Sequence, residues 1–231
     1  MANESMLDLL RGMKLCANLP EADLTTFAVL WQRRSVRGGT VIITEDQPGE
    51  VVYLVVEGSV KISVSDGKGK ETIVGFRGAG EILGEVSLID GLSRSATVIT
   101  QEPTVILFAL RDPLRDMLHE MPILIFNLAR LMTRRLRLAT AQIQALGTLD
   151  VKGRVARQLL ALAEDYGSGN RALPVVIPLH LPQVDLANMV GASRASVNEV
   201  LVGWKTHGYI TIDQNQHITV LDLEALEKLI Q

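Results

Sequence analysis

The sequence predicts an α+β chain in three successive parts, and three observations carry that prediction. Short runs rich in Val, Ile and Gly fill residues 36–110, and an apolar stripe with helical spacing follows them. The last third then holds two short amphipathic segments joined by a glycine, with a pair of extended runs behind them. At 231 residues, with 47% hydrophobic and 21% charged residues, the chain can bury a sizeable core and has an ordinary globular composition.

The first part contains VIIT (41–44), VVYLVV (51–56), VKISVS (60–65), ETIVGF (71–76), TVIT (97–100) and TVILFAL (104–110). These runs are short, β-branched and punctuated by glycine, a texture that predicts a β sandwich or barrel.

Beyond Pro122, PILIFNLARLMTRRLRLATAQIQALG places Ile125, Leu128, Met132, Leu136, Ala139, Ile143 and Leu146 at intervals of three and four. That spacing puts them on one face of a long helix, which the proline starts well. The stripe fits packing on the chain's own β part, and it fits a parallel two-helix seam with a second copy. Arg130, Arg134, Arg135 and Arg137 fall mostly off it and read as a solvated face.

The third part opens with VKGRVARQLLALAEDYG, an amphipathic helix ending at Gly167, and continues through a polar turn to the extended VVIPL at 175–179. Residues Gln183–Val190 read as a short helix with Val184, Leu186, Ala187 and Val190 inward and Asp185 and Asn188 outward. Gly191 supplies a left-handed end, and Ser193 caps a second helix running to about Lys205 over a buried stripe of Val197, Val200, Leu201 and Trp204. GYITID and HITVLD flank Gln214–Gln216 as a β-hairpin wing. A winged helix-turn-helix uses this order to bring the N-terminal side chains of its second helix to base edges in the major groove. The same helix pair also fits a helical hairpin with no nucleic-acid role.

Several classes are disfavoured. Cys16 is the sole cysteine, which excludes an internal disulfide and any multi-cysteine metal or iron–sulfur site. Cys16 and His119 sit in no local haem-ligand pattern. No nucleophile–base pair, metal-hydrolase cluster or Walker loop is present, so no catalytic residue, metal site or tightly bound cofactor is expected, and the chain does not read as an enzyme. No run is long enough to cross a bilayer and the N-terminus lacks a signal peptide's pattern, so a cytoplasmic protein without a membrane partner is expected. The net charge is −3, and from Val151 onward 7 Lys+Arg face 8 Asp+Glu. Any affinity for DNA therefore rests on local placement, with Arg194, Lys152 and Lys205 as candidates.

Four stretches, in order, resemble the cyclic-AMP receptor / fumarate-nitrate regulator (CRP/FNR) family of bacterial transcription factors. They are EDQPGEVVYLVVEGSVKI (45–62), GEVSLIDGLSRSATV (84–98), RRLRLATAQIQALGTLDVKGRVARQLLALA (134–163) and LANMVGASRASVNEVL (186–201). The resemblance implies an effector-binding β-roll of jelly-roll type over 1–121, a dimerisation helix over 122–148 with the stripe as its interface, and a winged helix-turn-helix over 149–231. It implies a homodimer that binds two-fold symmetric sites in double-stranded DNA and recruits RNA polymerase. The turn Asp165–Ala172 is a candidate polymerase surface by position.

The resemblance also implies a switch by a small effector such as cyclic AMP or another cyclic nucleotide. In nucleotide-binding members a Gly-Glu pair and a downstream Arg-Ser pair hold the ribose and cyclic phosphate, and Gly84, Glu85, Arg94 and Ser95 match them. Val86, Ser87 and Ala96 add backbone N–H groups. The same residues persist in relatives that bind no nucleotide, where Glu85 and Arg94 would form a supporting salt bridge. The base-contacting end departs: Ala139-Thr140 stands where the cyclic-AMP receptor has Thr-Ser, leaving Thr140 as the hydroxyl available.

In the recognition helix Ser193, Arg194, Ser196 and Val197 match, while Ala195 replaces a glutamate and Glu199 a second arginine. Arg194 can fork onto guanine, Ala195 offers a methyl contact to thymine, and Glu199 can accept from cytosine N4. Gln183, Ser193, Ser196 and Gln216 are expected at phosphates. Pro182 replaces the usual threonine before the first helix. Two other readings fit the same residues: an effector-independent activator, and a cyclic-nucleotide-binding module acting through protein partners.

Overall fold

The structure, a computed structural model, describes residues 5–66, 71–167 and 174–230. They form two compact units, one of Met1–Glu71 with Gly75–Arg134 and one of Thr72–Val74 with Arg135–Gln231.

The first unit holds two four-stranded sheets, apart from residues 72–74 of one strand. Strands β1 (Gln32–Val36), β3 (Val51–Glu57), β6 (Ile82–Leu83) and β8 (Thr104–Leu110) make one, in the order β1-β8-β3-β6. Strands β2 (Val41–Ile43), β4 (Val60–Ser65), β5 (Glu71–Arg77) and β7 (Thr97–Thr100) make the other, in the order β2-β7-β4-β5. Val55 and Leu83 from the first sheet meet Ile43, Val60 and Val98 from the second as one buried cluster, the inter-sheet core of a jelly-roll-like β-roll. The other face of the first sheet offers Val52, Leu54, Leu107 and Ala109 to helices α1 (Met6–Arg11), α2 (Glu21–Ala28), α4 (Arg111–Glu120) and the start of α5 (Pro122–Thr148). Strand β3 serves both cores through pleat alternation and a register shift between Val55 and Glu57.

The apolar stripe of α5 divides. Leu128 is only 2% exposed and sits in the first unit's own core, with Met132 packed partly against it. Leu124, Leu128 and Leu131 cover the helical face of the β-roll within the chain's own core. Ile125, Leu136, Ile143 and Leu146 remain 46%, 68%, 71% and 49% exposed, and Ala139 is exposed with them.

The second unit continues through α6 (Val151–Tyr166), capped by Asp150, whose carboxylate accepts from the Gly153 N–H at 2.8 Å. Helix α8 (Arg194–Thr206) packs on it and α7 (Gln183–Met189) packs on α8, beside a three-stranded antiparallel sheet. That sheet has the order β10-β11-β9, where β10 (Ile210–Ile212) and β11 (Ile218–Val220) form the wing and β9 (Val175–Ile177) is the extended VVI run. A short α9 (Leu223–Glu227) packs back on α6. Of the turn considered as a polymerase surface, residues 168–172 lie outside the described residues.

Candidate functional site

In the β-roll unit the stretch GEVSLIDG is a short helix, α3 (Glu85–Asp90), rather than a plain loop. Gly84 enters it at φ +80° and Gly91 leaves it at φ +71°, both left-handed conformations that favour glycine. Gly84 is required for a second reason. A Cβ there would collide with Arg94 Nη1 and lie 3.2 Å from the Val51 carbonyl oxygen.

Arg94 is pinned at both ends. Its backbone N–H donates to the Gln47 carbonyl and its carbonyl accepts from the Asp46 N–H, each at 2.9 Å. Its guanidinium is turned inward and only 7% of the residue is exposed. Nη1 donates to the Ser87 hydroxyl at 2.8 Å and to the Gly84 carbonyl at 3.2 Å, while Nη2 donates to the Val51 carbonyl. Burial pulls the guanidinium's pKa below its ordinary value; Tyr53 and Glu85 oppose that shift and Arg111 adds to it. Burial disfavours this charge, which suits the place to an anion.

Gly84, Glu85, Val86, Ser87, Arg94, Ser95 and Ala96 line one small cleft, floored by Ile43, Ile62, Leu83 and Val98 of the two sheets. The cleft thus gathers the expected loop residues and adds an apolar floor that sequence patterning gave no reason to single out. Apolar surface beside a few convergent polar groups is the usual make-up of a small-molecule site. Gly49, in the turn that pins Arg94, is a packing site without a signal in the sequence: a Cβ there would meet Ser87 Cβ at 2.5 Å. The eighth expected ligand residue, Thr140, belongs to the second unit, where its exposed hydroxyl donates to the Leu136 carbonyl at 3.0 Å.

In the second unit Gly191 takes φ +61° after α7, and Ser193 caps α8 by accepting from the Ser196 N–H at 3.0 Å, with the two hydroxyls 2.8 Å apart. Val197, Val200, Leu201 and Trp204 are buried, which leaves Arg194, Ala195 and Glu199 exposed and Ser196 half-buried on the free surface. Removing the cap by Ser193→Ala is expected to cost this unit about 1 kcal/mol of stability, checked by urea unfolding of the two proteins.

The wing tip is tied to the entrance of α7. The Leu181 N–H donates to the Gln216 carbonyl at 3.2 Å, and His180 Nδ1 lies 2.8 Å from the Asn215 carbonyl oxygen. Gln216 itself adopts φ +60°, a conformation a hairpin tip requires of one residue. These ties bring Gln183, Arg194 and Gln216 around one open concavity with Pro182 and Val184. Lys152 and Lys205 are exposed elsewhere on the unit.

One expected orientation is reversed. Val184 is 47% exposed and Asp185 is buried, whereas the pattern put Val184 inward and Asp185 outward. The inward face of α7 is set by Leu186, Ala187, Met189 and Val190, and Asp185 rather than Val184 lies on its side of the first turn.

A β-roll with a polar-mouthed cleft, followed by a helix-turn-helix with its wing, defines the class: a DNA-binding transcriptional regulator. Residues 33–121 match the cyclic nucleotide-binding domain and residues 153–229 the Crp-like helix-turn-helix domain. The chain is 33% identical over 192 residues to the CRP-like cAMP-activated global transcriptional regulator of Mycobacterium tuberculosis, covering 82% of this chain and 84% of that one. It is 30% identical over 221 residues to the cyclic AMP receptor protein of Thermus thermophilus, covering 95% and 98%. In fold it is similar to FixK2 from Bradyrhizobium japonicum, with a TM-score of 0.75 at 22% identity over 87% of this chain and 98% of that one. The chain belongs to the CRP/FNR family of transcriptional regulators. Among the described residues no helix is long and apolar enough to cross a membrane, and no cluster of His, Cys, Asp and Glu could hold a metal.

Proposed function

We propose that the protein is a homodimeric regulator that grips two-fold symmetric promoter sites and recruits RNA polymerase, switched by a cyclic nucleotide in the β-roll cleft. The carrying observation is the convergence of Gly84, Glu85, Ser87, Arg94 and Ser95 on one cleft around a buried guanidinium. Glutamate can accept from ribose hydroxyls, arginine can fork onto phosphate oxygens, and the apolar floor suits the sugar and base. The division follows the resemblance: an effector-binding part over 1–121, a dimer helix over 122–148 and a DNA-binding part over 149–231. Relatives described as cAMP-activated and as a cyclic AMP receptor support the nucleotide class. The stripe Ile125, Leu128, Met132, Leu136, Ala139, Ile143 and Leu146 is read as the dimer seam, carried by its exposed members Ile125, Leu136, Ala139, Ile143 and Leu146, and Thr140 as a ligand contact supplied from the dimer helix.

The DNA contacts follow from the second unit. Arg194 is read as the guanine-reading side chain and Ala195 and Glu199 as its neighbours at base edges. Gln183, Ser193, Ser196 and Gln216 are read as phosphate contacts. Replacing Arg194 by Ala is expected to weaken binding to a site selected from random DNA by about 1–3 kcal/mol and to relax selection at one guanine. Unchanged affinity would favour a module acting through protein partners.

A specific feature favours a second reading, the effector-independent activator. The Arg94 guanidinium already has protein acceptors in Val51, Gly84 and Ser87, and Ala139 offers no hydroxyl to a base. Calorimetry with cyclic AMP and cyclic GMP, beside DNA binding with and without each, separates the two. Tight promoter binding by protein shown to be nucleotide-free, unaltered by either nucleotide, would establish the second reading.

A further inference from the structure

The C-terminal part of α5 and the turn between α7 and α8 lie in one compact unit. There, Gln142 Nε2 donates to the Met189 carbonyl at 2.7 Å. Met189 is the last residue of α7, and the final carbonyls of a helix have no intrahelical N–H to receive. Gln142 supplies one of those missing donors from another helix. Two residues further on, a Cβ at Gly191 would approach Leu146 Cδ2 to 3.1 Å, so the turn's backbone lies close against α5. From α6, Arg154 Nη2 reaches the Gly191 carbonyl at 3.4 Å. The recognition helix α8 starts three residues after that glycine. Its origin is therefore fixed against α5 by a polar tie and a packing contact, and against α6 by an arginine.

We propose that Gln142 is a positioning residue for half-site spacing. Through the Met189 carbonyl it fixes the recognition helix relative to the helix that carries the dimer seam. The inference rests on the dimer reading above. Two recognition helices must match half-sites about one DNA turn, some 34 Å, apart. One base pair more or less moves a half-site by about 3.4 Å and rotates it by about a tenth of a turn. A dimer with rigidly held recognition helices rejects that displacement, whereas one with loosened helices follows it.

The test uses the full chain and a site selected from random duplex DNA. Fluorescence anisotropy then compares that duplex with versions one base pair longer or shorter between half-sites, and with a single half-site. The wild type is expected to lose about tenfold or more in affinity on either altered spacing. Gln142→Ala is expected to bring the three spacings within about threefold while leaving half-site affinity unchanged, since no base contact is altered. Gln142→Lys, which keeps a long donor for the Met189 carbonyl, is expected to restore discrimination. Wild-type discrimination by Gln142→Ala would overturn the proposal, as would an equal loss on the half-site and all full sites, the mark of local destabilisation. Recovery of a site without two-fold symmetry, bound by a monomer in sedimentation, would overturn the dimer reading and this inference with it.

Discussion

A chain carrying Leu136→Glu and Ile143→Glu is expected to sediment as a monomer and to lose at least about a hundredfold in affinity for the two-fold site, since avidity from a second linked reader contributes a factor of that order or more. The two side chains are 68% and 71% exposed in their own chain, so nothing in its core depends on them. In a two-helix seam each would be covered, and burying a leucine or isoleucine side chain is worth about 1.5–3 kcal/mol. Symmetry doubles the effect, and glutamates facing their own copies add repulsion. Thermal unfolding should be scarcely altered at low concentration, which separates loss of association from loss of fold. Leu128→Ala provides the contrast. Leu128 is 2% exposed within the first unit's core, so its truncation is expected to cost about 2–5 kcal/mol of stability. A double glutamate variant that remains dimeric would remove the seam from α5.

The contrast between Leu128 and Ile143 shows what patterning can and cannot reveal. Both satisfy the helical period, and the period alone does not say which neighbour covers a position. Leu128 follows Leu124 and precedes Leu131 over the β-roll, while Ile143 lies beyond that support. The β-branched runs 41–44, 51–56, 60–65, 71–76, 97–100 and 104–110 each contain a strand, because half-buried strands announce themselves by alternation or apolar runs. Strand β1 does not: QRRSV is an edge strand with four exposed residues, and its Arg34 packs over the Phe108 ring at 5.1 Å. Strand β6 is two residues long and pairs with β3 at the sheet's edge. Both owe their existence to partners distant in sequence.

The cleft was legible at its polar mouth and illegible at its base. The chain also holds Gly49-Glu50, Gly80-Glu81 and Arg34-Ser35, so Gly84, Glu85, Arg94 and Ser95 stand out only through their match to the family's Gly-Glu and Arg-Ser pairs. Ile43, Ile62, Leu83 and Val98 are ordinary strand residues until two sheets stack them under that mouth. The tie from Gln142 to Met189 was equally silent, since a glutamine on a long polar helix face carries no sequence signal. Asp185 misled for the opposite reason. A carboxylate in a first helical turn reads as solvated, yet here it is buried.

Arg94→Lys and Arg94→Ala are expected to separate two roles of one side chain. The guanidinium bridges β3, the entry to α3 and Ser87 through the carbonyls of Val51 and Gly84 and a hydroxyl. Alanine removes all of these contacts at a 7% exposed position. Hydrogen bonds to a charged group contribute about 1.5–3 kcal/mol, so a loss of about 3 kcal/mol from the β-roll is expected after partial relaxation. Lysine keeps the charge but has no planar fork, and should retain much of the stability while losing paired contact with phosphate oxygens. Burial lowers the pKa of the guanidinium, so folding opposes its charged form, and stability from this group would rise only as pH climbs into its titration range. An arginine does not reach that range at working pH, so neither fold nor affinity should titrate through it between about pH 5 and 9. The readout is the rise in melting temperature on adding cyclic AMP, since a ligand that binds the folded state raises stability with its concentration over Kd. The wild type should show a concentration-dependent rise; Arg94→Lys should melt near the unliganded wild type and show little or none. A full ligand-induced rise in Arg94→Lys would reduce Arg94 to a structural clamp and move recognition of the anion elsewhere.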